Sequence, residues 1–119
     1  MYQHGLLDSS DGLFCNGIKS LAFDFADRGY DTWFTNSRGN MHSKNHRYFD
    51  EKDEEMWDFS LQEMGEYDVK ANVEFIIKLT GQKKINYMGH SQGTAQMFAR
   101  ACLYPKWCEE HINLFMAIA

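Results

Sequence analysis

The chain has 119 residues, 44% hydrophobic and 15% aromatic, with a formal net charge of -5. That is apolar surface for one globular domain, with no basic face for a phosphate backbone and no run near the roughly 18 apolar residues of a membrane span. The start, "MYQHGLLDSSDG", lacks the basic head and apolar centre of a signal peptide. Cys15, Cys102 and Cys108 are odd in number and have no framework spacing, so buried or free thiols are expected over a Cys102–Cys108 pair. No Asn-x-Ser/Thr acceptor occurs, so glycosylation gives no hint of compartment.

Helix and strand alternate along the chain. Ser20 stands as N-cap to a helix carrying Leu21, Phe25 and Ala26 on one side, and Gly29 is placed to end it. "YDTWFT" (30–35), rich in aromatic and β-branched residues, predicts a strand. A long polar loop, "NSRGNMHSKNHRYFDEKDEE", follows, and loops of that length are usually functional or carry a short helix. Ser60 and Glu63 have the spacing of a capping box, and the helix over 66–79 places Val69, Val73 and Ile76 on one stripe before Gly81. "KINYM" reads as a strand, 94–103 as a helix and "INLFMAIA" as a final apolar strand. The alternation implies an α/β fold, a parallel sheet covered on both faces.

Between the strand "KINYM" and the next helix lies Gly89-His90-Ser91-Gln92-Gly93, which fits G-x-S-x-G. A strand before and a helix after are the context that this motif requires. The turn lifts the serine hydroxyl out of the sheet, and the glycines remove side chains that would collide with nearby backbone. The following helix aims its unpaired N–H groups at developing charge, with the N–H of Gln92 facing the oxyanion. A second donor is expected from a loop after an earlier strand, where "QHGLL" (3–7) stands. Gly5 lets the backbone approach, and the N–H of Leu6 is the expected donor. Taken alone, His4 reads as a hydrogen-bonded loop histidine.

These stretches resemble the acid lipase family of α/β-hydrolases, which includes gastric lipase and lysosomal acid lipase. The matching segments are "HGLL" (4–7), "LAFDFADRGYDTWFTNSRGN" (21–40), "WDFSLQEMGEYD" (57–68), "FIIKLTGQKKINYMGHSQGT" (75–94) and the closing "LFMAIA". They are collinear over nearly the whole chain. The resemblance implies a partial α/β-hydrolase domain over 1–119, with the sheet truncated at both ends. It implies a serine esterase acting on neutral lipid esters, triacylglycerols or sterol esters, at a lipid–water interface, with no cofactor, no nucleic acid and no transmembrane segment. Ser91 carries over as nucleophile, Leu6 and Gln92 as backbone oxyanion donors, and His4, Gly5, Gly89, His90 and Gly93 as support for the elbow and its loop. His90 is expected to pack toward the core, and "NSRGN" to shape the loop near the site, with Arg38 outside the chemistry.

A serine nucleophile needs a base and an orienting carboxylate, here in the order Ser, Asp or Glu, His. After Ser91 only Glu109, Glu110 and His111 remain, adjacent to one another and read as a solvated approach to the last strand. The family's Asp and His are expected beyond Ala119, as is its cap, so the chain reads as a fragment. Two alternatives stay open: a truncated relative that binds lipid or a partner through its apolar edge, and a carboxylesterase for smaller esters. Zinc held by His42 and His46 is a poor third, because the stretch lacks the zincin glutamate. The family is usually secreted or lysosomal.

Overall fold

The computed structural model describes all of residues 1–119. Four parallel strands form one sheet in the order β2-β1-β3-β4: β1 (Tyr2–Gln3), β2 (Phe34–Thr35), β3 (Ile85–His90) and β4 (Ile112–Ile118). Although only two residues long, β1 is central, with Tyr2 opposite both Phe34 and Met88. The strand expected over 30–35 is reduced to Phe34–Thr35. Ahead of it Trp33 still contributes its carbonyl, which accepts from the Tyr2 N–H at 2.8 Å.

Alternation along the strands sorts their side chains onto two faces. Tyr87 points to the face covered by α3 (Val69–Thr80) and α4 (Gln92–Leu103), where it is fully buried with Val69, Val73 and Met97. Phe115, opposite Tyr87 in the register, meets its ring edge-on at 5.7 Å. The predicted stripe Val69, Val73 and Ile76 is buried. Each such side chain contributes roughly 1.5–3 kcal/mol over exposure. The exposed Lys70–Glu74 pair at 4.0 Å adds only a few tenths, so burial holds α3 on the sheet. The other face carries α1 (Leu21–Asp27). Between α1 and the sheet runs an apolar groove of about 510 Å³, lined among others by Ala22, Phe25, Phe34, Met88, Leu114 and Met116.

Ser20 takes the N-cap position of α1, but its hydroxyl makes no cap bond and is buried without a partner. The capping box at Ser60 forms in full: Ser60 Oγ accepts from the Gln62 N–H at 3.1 Å, and Glu63 Oε2 accepts from the Ser60 N–H at 2.7 Å. It starts a short helix, α2 (Leu61–Glu63), which runs through a π-helical turn (Met64–Asp68) into α3. The helical segment therefore begins five residues before the expected 66. At the turn the Val69 N–H reaches back to the Met64 carbonyl, so one extra residue is accommodated there. That residue count brings Gly65 against the backbone of α4: a Cβ on it would stand 2.8 Å from Ala99 Cβ and 2.9 Å from the Gln96 carbonyl.

Residues 105–111, to which no element was assigned from sequence, form a helix, α5 (Pro105–His111), on which Glu109 and Glu110 are exposed, as expected of a solvated approach to the last strand. Pro105 occupies the first turn, where its missing N–H costs nothing. Arg100 of α4 ties this corner together. Its guanidinium lies 4.2 Å from the Tyr104 ring and 4.1 Å from the Trp107 ring, and Nη1 donates to the Glu66 carbonyl at 3.0 Å. The three cysteines are free thiols.

Gly65→Ala separates propensity from packing. Helix propensity alone predicts a gain of about 1 kcal/mol, whereas the contact with α4 predicts a net loss of about 1–3 kcal/mol. The loss is expected, read as a lower urea midpoint at constant slope.

Candidate active site

Ser91 joins the end of β3 to the first turn of α4 with φ 50° and ψ -113°. A non-glycine residue there is strained by about 1–3 kcal/mol, so its surroundings must hold it. The Ser91 N–H donates to the Ile118 carbonyl of β4 at 2.7 Å. Its own carbonyl accepts from Thr94 and Ala95 at 3.0 and 3.2 Å. Thr94 Oγ1 lies 2.7 Å from the Gly89 carbonyl and 3.1 Å from that of Ile118, so one hydroxyl spans the ends of both strands. Tyr87 donates to the Gly93 carbonyl at 2.9 Å, and burial pushes its phenol pKa far up, which keeps the donor protonated. The serine side chain does not cap the helix that it opens, and the residue is exposed.

Both glycines of the elbow are required by contact. A Cβ on Gly89 would stand 2.6 Å from the Thr94 nitrogen, and one on Gly93 only 2.3 Å from the Gln3 carbonyl. The end of β1 therefore lies directly against the start of α4. Beyond it the chain turns through Gly5, where a Cβ would meet Ser91 Cβ at 3.1 Å and His90 Nδ1 at 3.2 Å. Leu6 and Leu7 follow, both exposed, and Leu7 is left-handed at φ 58° and 99% exposed. The loop of Leu6 and the N-terminus of α4, with the Gln92 N–H in its first turn, thus stand on either side of Ser91. A helix start of this kind leaves its first N–H groups without intrahelical partners.

His4 lies beneath this loop, 3% exposed. Its Nε2 accepts from the Ser37 N–H at 3.1 Å, so Nδ1 carries the proton and donates to the Gly5 carbonyl at 2.7 Å. His90 is half-buried and set against Gly5, rather than facing the core. His42 and Asp11 pair at 2.7 Å across two loops, and that hydrogen bond, followed by the one from Ser9, holds the Asp11 carboxyl below its usual range. His46 accepts from the N–H groups of Tyr48 and Phe49 and stacks on the Phe49 ring at 4.8 Å. His111 stacks on Trp107 and bonds to its carbonyl. It precedes β4 at the end that pairs with Ile85, whereas the elbow lies at the His90–Ile118 end, about 20 Å along the strand.

The "NSRGN" segment, read from sequence only as shaping the loop, has a definite geometry. Asn36 exchanges two 3.0 Å hydrogen bonds with Ser10, and Asn40 Nδ2 donates to the Asp8 carbonyl at 2.6 Å. Arg38 turns the other way: its guanidinium grips Asp68 at 2.7–3.1 Å, the carboxylate also accepts from the Arg38 N–H at 3.2 Å, and the charge lies 5.6 Å from the Phe59 ring. Charge-assisted, multiply bonded pairs of this kind fix geometry as well as adding energy. The segment is thereby clamped between the π-helical turn and the loop of Leu6. The signal that marks it in sequence is a polar run directly after a strand, but its partners lie some 30 residues away on both sides.

Comparison with known proteins accords with this geometry. The chain belongs to the alpha/beta hydrolase fold family, whose model matches residues 1–113. The likeness to acid lipases read from the motifs is also borne out among individual relatives. The chain is similar to human lipase member K, 47% identical over 98% of this chain and 29% of that protein. It is similar to bovine gastric triacylglycerol lipase, 46% identical over 98% and 30%, and to a probable lipase of Schizosaccharomyces pombe, 42% identical over 98% and 25%. The chain thus spans about a quarter to a third of the length of these relatives.

Leu7 carries left-handed strain while its side chain touches almost nothing in the chain. Leu7→Gly is therefore expected to raise stability by roughly 0.5–1 kcal/mol, the strain relieved less the extra chain entropy of glycine. Thermal and urea unfolding of the two proteins would check it.

Proposed function

We propose that residues 1–119 are the nucleophile-bearing part of a serine lipase that hydrolyses neutral lipid esters, triacylglycerols or sterol esters. The observation that carries this reading is the exposed, strained Ser91 at the first turn of α4, with Gly5 and the Leu6 loop packed against it. Relatives that bear the name lipase support the substrate class. In this mechanism Ser91 Oγ attacks the ester carbonyl as a base takes its proton, and the Leu6 and Gln92 N–H groups stabilise the tetrahedral oxyanion. Collapse releases the alcohol, which takes up that proton, and leaves an acyl-enzyme. Water then attacks the acyl carbon and releases the fatty acid.

The base and its carboxylate belong, in this reading, outside residues 1–119, which then form a single partial α/β-hydrolase domain. What supports this is the engagement of four of the five histidines: His4 and His42 are bonded within the loops, His46 to its own turn, and His111 to Trp107 at the far end of the sheet, while His90 belongs to the elbow itself, beside Gly5. The same reading assigns the protein to a secreted or lysosomal compartment and to a lipid–water interface.

Ser91→Ala in the full-length protein is expected to lower ester turnover by about 10⁴-fold or more and to abolish labelling by a fluorophosphonate probe. Turnover that survives the substitution would overturn the assignment.

A further inference from the structure

The two expected oxyanion donors sit on different elements, Leu6 on the loop after β1 and Gln92 on α4. Both must lie about 2.7–3.1 Å from one oxygen, so the separation of the two elements has to be fixed in both directions. Contact between the Gly93 backbone and the Gln3 carbonyl sets how closely they approach. Contact of that kind resists compression and does nothing against opening. Attraction has to come from elsewhere.

Ser37, on a third segment, supplies it. Its hydroxyl accepts from Gln3 Nε2 at 2.9 Å and from Gln96 Nε2 at 2.9 Å. Gln3 ends β1, and Gln96 lies in the second turn of α4. The Ser37 N–H meanwhile donates to His4 Nε2, and His4 Nδ1 donates to the Gly5 carbonyl, the residue before Leu6. Thr35 Oγ1 fixes the remaining side of the Gln3 amide at 2.7 Å from Oε1. All four members are shut off from water: Gln3 and Gln96 at 0% exposure, His4 and Ser37 at 3%. Hydrogen bonds in such surroundings have no solvent to replace a lost partner.

We propose that Ser37 is a positioning residue for the ester hydrolysis assigned above, the hub that holds the oxyanion loop and the nucleophile helix in mutual register. It acts through Gln3, His4 and Gln96 and touches no substrate. The inference rests on the lipase reading, in which Leu6 and Gln92 share one oxyanion.

The test uses the full-length protein with Ser37→Ala and, from the opposite side of the hub, Gln96→Met. Three quantities are compared with wild type: kcat and KM on a short p-nitrophenyl ester, the affinity of an alkyl boronic acid that forms a tetrahedral adduct on the serine, and amide hydrogen exchange over residues 4–8. Misplacement of a donor predicts a fall in kcat of roughly tenfold to a hundredfold, KM nearly unchanged, boronate affinity falling in step, and faster exchange over 4–8. Gln96→Met should do the same, and the double variant should cost little more than either alone. A lowered melting temperature with kcat, boronate affinity and exchange all unchanged would reduce Ser37 to ordinary core and overturn the proposal. So would a rise in KM with kcat intact. Should Ser37→Ala not fold, Gln96→Met decides on the same readouts. If wild type turns over no ester and binds no boronate, the lipase reading fails, and unchanged exchange over 4–8 would then overturn the hub as well.

Discussion

A Cβ on Gly93 would stand 2.3 Å from the carbonyl oxygen of Gln3, a separation that no side chain tolerates. That close approach of helix backbone to strand end governs the rest of the molecule. It seats α4 directly behind the central strand β1, and it brings the loop after β1 to within contact of Ser91. Tyr87 reinforces it from below by donating to the carbonyl of Gly93 itself, and Thr94 does so from the side by reaching the ends of β3 and β4. With these restraints in place, the left-handed conformation of Ser91 is over-determined and its strain can persist.

Around this contact the fold divides its tasks between two kinds of chemistry. Apolar burial of Val69, Val73, Tyr87 and Met97 attaches α3 and α4 to the sheet, without specifying orientation to tenths of an ångström. Polar groups specify it. Asn36 and Asn40 hold the 8–10 segment, the Arg38–Asp68 pair anchors their own loop to the π-helical turn, and the turn is pressed on α4 through Gly65. The π-helical geometry earns its place here: one additional residue in the turn presents Gly65 to α4 and Asp68 to Arg38 together.

Much of this was legible in advance wherever the causes are local. The capping box needs only Ser60 and Glu63, and the stripe Val69, Val73, Ile76 needs only helical periodicity; both formed. The elbow was legible because its requirements (small residues beside a strained turn, strand before, helix after) all fall within a dozen residues. Two features escaped the sequence for the complementary reason. Residues 105–111 carry no amphipathic stripe, and their helix depends on Pro105 as a start and on Trp107 and Cys108 packing against the core. Ser20 occupies its predicted cap position, yet its hydroxyl is buried without a partner.

The sequence by itself determined the fold class, the alternation of elements, the family likeness and the position of Ser91, since periodicity, capping and the glycine pattern act between near neighbours. Only the tertiary structure decided that His90 faces Gly5 and that Ser37 joins Gln3 to Gln96. Ser37 and Gln96 are 59 residues apart, and a single hydroxyl in a polar loop looks alike in sequence whether it meets water or two buried amides. Which it meets is set by where three separate chain segments pack, and no local propensity carries that information.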